Sequence, residues 1–544
     1  MAQNPQYTYS PLKNFHIRLL MIRSNLPSDD QAEIRCHIEH FEHSNAPPYY
    51  ALSYAWGTTD SSHILLNDER MSVRTNLYDA LWNLRKTGFC VSETNDGRSS
   101  TEATTKWIWI DALCIDQENI PERNHQVRFM GSIYKLAIRV LAWLGSRKDV
   151  DHGCHENIVY TMAEFQEPFP FMDNCRGWNF PRRDFTKCVE FFDRPYWQRM
   201  WIVQEIALAR DITILYDDIS ISWDSLDVLQ LALKLTEDKG DSQSTSRKIL
   251  NSHAYRLDEH RRYRNSADES TLWSWMHSFR DSICFDPRDK VYALLGLAVD
   301  EHDNQLIVDY SKSLFEVYTD VINFYCSTKP YSTYRVVNFS QKLQQSFNRP
   351  SELRSGVEAY QKIMRLAYPG HTQALIEVSG RRASVIRHVH WPHYQSMKVD
   401  CTFEYEYERA TNGDEREESS SHQAPSSIRN QADETKVLFE MDNSRIGYAA
   451  NNILEGDIIC QFRNWDIAAV LRAKPDGYQV VGRAQIAKSE FELEKRVSPY
   501  NGKYRYSQLD WDAYRLRSRL DLSIDIVTLQ KLTACIEAGG IGAL

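Results

Sequence analysis

RPYWQRMWIVQEIALARDITILY, Arg194–Tyr216, runs a helix-length apolar segment straight into a strand-length one. From Trp201 to Ala209 a helix would need neighbours on most sides, and DITILYDD after it reads as a strand. The same rhythm extends toward the N-terminus: HIRLLMI, YYALSYAWG, NLYDALWNLRKTG, WIWIDALCI, ERNHQVRFMGSIYKLA and RVLAWLG. Strands separated by helices imply parallel strands with crossover connections, an α/β sheet with flanking helices on both faces. Ligands of such sheets sit at the carboxyl ends of the strands, which directs attention to the loops after YAWG and after DALCI.

In the middle of the opening stretch stands one carboxylate, Glu205. An acid among hydrophobes has a fixed partner, has its pKa raised, or is kept for something that binds it. Arg199, Arg210 and Arg123 are the cations available for a structural ion pair. The alternative is a site.

Bulk properties narrow the classes. With 544 residues, two or three domains are expected, and 42% hydrophobic and 12% aromatic residues are ample for packed interiors. The formal charge of -10 and the lack of a basic stripe argue against a nucleic-acid surface. No apolar run approaches the roughly 18 residues of a membrane span, and the N-terminus lacks the pattern of a secretory signal. The 11 cysteines are scattered without a C-x-x-C, as expected of reduced thiols in the cytoplasm or nucleus.

Three polar stretches punctuate the chain: Ser92–Lys106, Thr236–Lys248 and Glu408–Lys436. The first reads as a loop insertion and the others as linkers. The expected organisation is an α/β domain over 1–235, a linker over 236–250, a mostly helical region over 251–403, a disordered acidic linker over 404–436, and a small β module with a polar, partly helical tail over 437–544. The helical character is drawn from DPRDKVYALLGLA and DYSKSLFEVYTDVINFYC, and the β module from DIICQF, AAVLR and YQVVGRA.

Three blocks in order, ALSYAWG (Ala51–Gly57), WIDALCIDQENIPERNHQVRFMGSIYKLAIRVLAWLG (Trp109–Gly145) and RMWIVQE (Arg199–Glu205), resemble the fungal heterokaryon incompatibility (HET) domain family. DPRDKVYALLGLA, VDYSKSLFEVY and the C-terminal β-runs resemble segments that often follow such domains. One departure is Ile202, where the family more often has Thr or Cys. HET domains are in turn similar to Toll/interleukin-1 receptor (TIR) domains, several of which cleave NAD at the nicotinamide glycosidic bond. The resemblance therefore implies a TIR-like, flavodoxin-like parallel sheet and a role in non-self recognition and programmed cell death. It also implies that NAD, if bound, is a substrate rather than a redox cofactor. The implied partners are further copies of the chain, associating through the HET domain, and an incompatibility partner protein. The segment after Asp111, with Glu118 and Glu122, is the expected self-association surface.

Nucleotide-cleaving TIR domains carry a Trp four residues before the catalytic Glu, and Trp201 precedes Glu205 by that interval. Positions i and i+4 share a helix face, so indole and carboxylate are expected to face one pocket. Loss of nicotinamide leaves an oxocarbenium-like ribose that needs an anion, which makes Glu205 the expected catalytic residue. Trp201 offers a flat wall and Arg199 a cation for pyrophosphate. Ser53, Tyr54, Trp56, Gly57, Asp111 and Asp116 complete the expected substrate-binding set. The plainer alternatives are strand-end packing for Ser53, Tyr54 and Trp56, a positive-φ turn for Gly57, a cap for Asp111, and helix-face support for Arg123 and Gln126.

Other clusters carry less. Cys36, His37, His40 and His43 suggest a metal site, but strand alternation throws His37 to the face opposite Cys36. His388, His390 and His393 lie on a strand ending at Pro392. Cys114 with His125 lacks an orienting third residue and sits in an apolar stretch, read as a strand, where a thiol is inert. No metal site is expected.

Overall fold

Tyr49–Tyr54 is buried along nearly its whole length, as a strand must be when it has neighbours on both edges and helices on both faces. It is the middle of the first of two compact units, Met1–Ser311 and Lys312–Leu544. The structure is a computed structural model that describes residues 5–24, 33–89, 91–92, 106–146, 186–217, 219–227, 229–230, 233, 243–263, 270–300, 306–328, 333–367, 375–390, 436–441, 446–450, 452–462, 467–475, 477–486 and 519–534. Residues 404–435 of the expected acidic linker, most of the stretches at 92–106 and 236–248, and His393 lie outside the described residues.

The first unit is mixed α/β. Its strands are β1 (His16–Ser24), β2 (Arg35–Glu42), β3 (Tyr49–Tyr54), β4 (Ser61–Leu66), β5 (Glu69–Arg74), β6 (Val91–Ser92), β7 (Trp107–Trp109), β8 (Arg139–Trp143), β9 (Ile212–Tyr216) and β10 (Ile219–Ser222). Its helices are α1 (Thr75–Lys86), α2 (Asp111–Cys114), α3 (Ile120–Leu136), α4 (Thr186–Phe192), α5 (Ile202–Leu208), α6 (Gln243–Leu250), α7 (His253–Tyr263), α8 (Leu272–Ser278) and α9 (Asp289–Tyr292). The sheet order is β10-β9-β8-β3-β7-β1-β2-β4-β5, with β6 beside β1. Within it β7, β3, β8 and β9 are mutually parallel. The chain leaves β3 to one side for β7 and returns on the other side as β8. That reversal is a switch point of the kind found in doubly wound sheets, consistent with a flavodoxin-like architecture.

The N-terminal segment mixes the two kinds of pairing, with β1 parallel to β6 and β2 parallel to β4. β1 is antiparallel to both β2 and β7. The stretch between β1 and β2 is too short for a crossover, which takes about a dozen residues, so the two strands turn back on each other. WIWIDALCI also departs from the expected single strand. β7 ends at Trp109, and Leu113 and Cys114 donate to the Ile110 carbonyl at 3.0 and 2.8 Å, winding Asp111–Cys114 into one helical turn. Cys114 is therefore on a helix, still buried, with its thiol pushed up to about 12 by burial.

The first unit continues well past residue 235. Arg261 on α7 donates to the Ile206 carbonyl at 2.9 Å and also bonds the Ala209 carbonyl, capping the orphan carbonyls at the C-terminus of α5. Glu122 turns inward. Arg18, 0% exposed, donates to it at 2.5 and 3.0 Å, so Glu122 is a largely buried structural partner within the chain.

In the second unit, helices α10 (Leu314–Thr328), α11 (Thr333–Phe347), α12 (Pro350–Ala367) and α13 (Ile526–Thr533) accompany an antiparallel sheet. Its strands are β11 (Leu375–His390), β12 (Lys436–Met441), β13 (Ile446–Ala450), β14 (Ile458–Gln461), β15 (Ile467–Lys474), β16 (Gly477–Ile486) and β17 (Arg519–Asp525). The order β12-β13-β16-β15-β14-β11-β17, with β11 also pairing β12, closes six strands into a ring and leaves β17 against the first half of β11. Among the described residues the run of helices before the sheet ends at Ala367, and β11 belongs to the β module it was expected to precede. It has room for three neighbours because it is 16 residues long. Ile386, Val437, Phe439, Met441, Ile459 and Val470 are among the side chains that fill the ring. Among the described residues no helix is long and apolar enough to cross a membrane.

Candidate functional site around Glu205

The carboxyl ends of β3 and β7 and the start of α5 bring seven polar or aromatic side chains together. Glu205 is 1% exposed. Ser53, at the end of β3, donates its hydroxyl to Glu205 Oε2, and the Ser53 oxygen also lies 2.7 Å from the Tyr196 hydroxyl. Arg199 Nη1 is 4.0 Å from Glu205 Oε2 and donates to the Tyr54 carbonyl. The guanidinium thus helps Glu205 across a gap and does not clamp it with two hydrogen bonds. Burial wins, and the Glu205 carboxyl is pushed up to about 7, with Arg199 opposing and Asp111 reinforcing the shift.

Asp111, at the first position of α2, is half-buried. Trp56 donates its indole N–H to Asp111 Oδ2 at 2.8 Å, the Ala112 N–H donates to Oδ1 at 2.7 Å, and the Tyr54 hydroxyl bonds the same carboxylate. Burial raises the Asp111 pKa while Arg199 and the Trp56 hydrogen bond pull it down. One guanidinium therefore serves two carboxyls that repel each other, an arrangement that keeps one of them readily protonated. The Arg74 guanidinium lies 5.2 Å from the centre of the Trp56 ring, on the outer side of the cluster. Gly57, exposed at φ 73°, makes the turn out of β3 in a left-handed conformation that favours glycine.

Of the expected residues, Ser53, Tyr54, Trp56, Asp111, Arg199 and Glu205 form one connected cluster, and Gly57 shapes its rim. Asp116 does not join it. Its carboxylate accepts the Glu118 N–H at 3.2 Å and its own N–H donates to Glu122, which makes it a turn residue. Trp201 lies one turn from Glu205, whose N–H reaches the Trp201 carbonyl at 3.3 Å, but the indole N–H donates to Asp289 Oδ2 at 3.0 Å. Arg210 donates to the Lys135 carbonyl at 2.9 Å, and Arg123 lies 4.0 Å from the centre of the Tyr310 ring. Arg199 is accordingly the cation that serves Glu205.

Tyr196 was not foreseen. It sits in the quoted stretch, but its partner Ser53 is 143 residues away, and only the folded sheet brings them together. Among the described residues no group of three or more His, Cys, Asp or Glu is placed to hold a metal ion. His37 pairs with Glu39 at 2.6 Å, and His40 lies within 3.3 Å of Ser10 and 3.2 Å of Arg18.

In parallel α/β sheets ligands sit at the strand ends, and a buried acid of raised pKa beside the switch point makes this cluster a candidate site. The particular family follows from comparison. Residues 49–205 match the model of the family described as heterokaryon incompatibility protein (HET). Over that region the chain is similar to this fungal heterokaryon incompatibility domain family. It is 25% identical over 358 residues to heterokaryon incompatibility protein 6, OR allele, of Neurospora crassa, a match covering 56% of this chain. The chain spans about half the length of that relative, 51%. No solved structure matches.

Proposed function

We propose that this chain acts in fungal non-self recognition and programmed cell death, in the cytoplasm, and that its HET domain cleaves NAD at the nicotinamide glycosidic bond. The observation that carries the proposal is Glu205, a buried acid with its pKa raised to about 7, at the carboxyl end of β3 with the Ser53 hydroxyl and the Arg199 cation beside it.

The chemistry asks little of the protein. Nicotinamide leaves a pyridinium as a neutral base, so the departing nitrogen needs no proton. As its bond to the ribose carbon breaks, positive charge grows on the sugar, and the Glu205 carboxylate stabilises it electrostatically. Water then adds to that carbon and its proton passes to Glu205, which is near half-ionised at neutral pH and suited to take it. Arg199 faces the pyrophosphate. At 1% exposure Glu205 meets substrate only after the Trp56–Asp111 pair swings off the end of β3, and self-association through the domain is the proposed trigger. An incompatibility partner protein is the proposed upstream signal.

The same low exposure favours a second reading, in which the cluster holds the sheet end together and the domain signals by association alone. The two separate in one experiment. Full-length protein is incubated with NAD over concentrations spanning monomer to assembly, and free nicotinamide is measured by chromatography. Release that disappears in Glu205→Gln supports the enzyme. Equal release from both proteins removes Glu205 from catalysis, and no release at any concentration favours the non-enzymatic module.

A further inference from the structure

The segment following the matched region touches the stretch that carries the site at three successive points. Ile283 donates its N–H to the Gln198 carbonyl at 2.5 Å, and its carbonyl accepts the Met200 N–H at 2.8 Å, so its backbone runs alongside Arg199. Asp289, 7% exposed, accepts the Trp201 indole N–H on Oδ2 at 3.0 Å and the Tyr310 hydroxyl on Oδ1 at 2.7 Å. Gln204, with its amide nitrogen toward the Ala293 carbonyl at 3.2 Å and its oxygen toward the Gly131 N–H at 2.8 Å, ties the segment to α3. At this junction Gly131 and Gly296 face each other. A Cβ on Gly296 would lie 2.8 Å from the Gln204 amide.

We propose that Ile283–Gly296 is a clasp on the Gln198–Glu205 stretch, and that Asp289, by holding the Trp201 indole, is the positioning residue that sets where α5 presents Glu205. It rests on the proposed NAD chemistry only for the second arm of its test. The argument is one of leverage. A helix of seven residues has too few internal hydrogen bonds to define its own place, so its position comes from what it packs against. Contacts at Met200, Trp201 and Gln204 lead directly up to Glu205. The clasp is itself anchored. Lys290, 8% exposed, donates to the Arg280 carbonyl at 2.6 Å and also bonds the Ser282 carbonyl, while Arg123 and Arg288 flank Tyr310 at 4.0 and 5.4 Å from its ring centre.

Both ends of the lever carry perturbed acids. Asp289 is pushed up to about 7 by burial, against the pull of the Tyr310 and Trp201 hydrogen bonds, with Asp286 raising it and Arg123 lowering it. Around Glu205 the groups are Ser53, Tyr54, Tyr134, Tyr196, Arg199 and Asp111. Loosening the clasp admits water beside Glu205 and relieves the desolvation that raises its pKa.

The test uses the full-length chain and reads the protonated-carboxyl band of Glu205 by infrared difference spectroscopy, assigned by its loss in Glu205→Gln. In Asp289→Ala the midpoint is expected to fall by about one pH unit or more toward the ordinary carboxylate range. Asp289→Asn is expected to keep the parent midpoint, because its carboxamide can accept from Trp201 and donate to Tyr310. Trp201→Phe removes the indole donor and part of the ring while keeping an aromatic side chain, and is expected to shift with Asp289→Ala. It also serves where Asp289→Ala does not fold. An unchanged midpoint in a folded Asp289→Ala or Trp201→Phe overturns the clasp. In the second arm, nicotinamide release is expected to fall about tenfold or more in Asp289→Ala and to persist in Asp289→Asn, since small misplacements of a catalytic group are costly. Absence of release from the parent protein refutes NAD cleavage, and the midpoint then judges the clasp alone.

Discussion

Replacing Glu205 by Gln distinguishes an acid that is buried at a cost from one held as an ion pair, because only the first makes the difference between variant and parent change between pH 5 and pH 8. The carboxyl is raised from an ordinary 4.5 to about 7. A carboxyl raised on folding binds its proton more tightly in the native state. Its contribution to stability is complete below pH 4.5 and is lost as pH climbs through about 7. At about 1.4 kcal/mol for each tenfold change in proton affinity, the total loss is roughly 3 kcal/mol, of which about 2 to 3 falls between pH 5 and pH 8. Glutamine does not titrate and keeps an acceptor for the Ser53 hydroxyl. Urea unfolding of parent and Glu205→Gln at half-unit steps from pH 5 to 8 should therefore show the variant gaining on the parent by about that amount as pH rises. Asp289 titrates in both proteins and cancels. If Arg199 instead held Glu205 as a true carboxylate, its stabilisation would already be complete at pH 5, and the variant, with a buried cation stranded, would carry a constant deficit across the range. A pH-independent difference, or a widening deficit, refutes the reasoning.

Two further outcomes follow from packing. Glu122→Lys should destabilise the first unit by about 3–5 kcal/mol, because Arg18 is fully buried against Glu122, whereas the same change at the exposed Glu118 should stay within about 0.5 kcal/mol. Thermal melts of the two variants check this, and equal melting temperatures would contradict it. Gly296→Ala should cost about 1–3 kcal/mol, since the added Cβ meets the Gln204 amide at 2.8 Å and the Gly131 Cα at 3.3 Å. Unfolding at neutral pH that shows no loss would mean the junction is looser than described.

Much of the fold was legible because it rests on local patterns. YYALSYAWG, RVLAWLG and DITILYDD each read as strands and do pair in parallel, whereas HIRLLMI, expected to be parallel as well, lies antiparallel to β2. Leu375–His390 falls inside the expected helical region, although it is a strand, because the alternation of LIEVSGRRASVIRHVH is interrupted by Gly380 and by consecutive arginines. WIWIDALCI read as one strand because its apolar residues suit a strand and a helical turn equally, and the Ile110 carbonyl decided the matter by accepting two N–H groups.

For the site, residue types and order along the chain were enough to nominate Ser53, Tyr54, Trp56, Asp111, Arg199 and Glu205, since strand ends and an acid in an apolar run are visible one segment at a time. Which groups those side chains meet was decided only by the tertiary structure. Spacing placed Trp201 and Glu205 on one helical turn, yet the indole N–H goes to Asp289, 88 residues on, and the carboxylate goes to Ser53, 152 residues back. A buried donor or acceptor takes whichever partner the folded chain brings within about 3 Å, and that depends on the order of strands in the sheet and the segments packed over it.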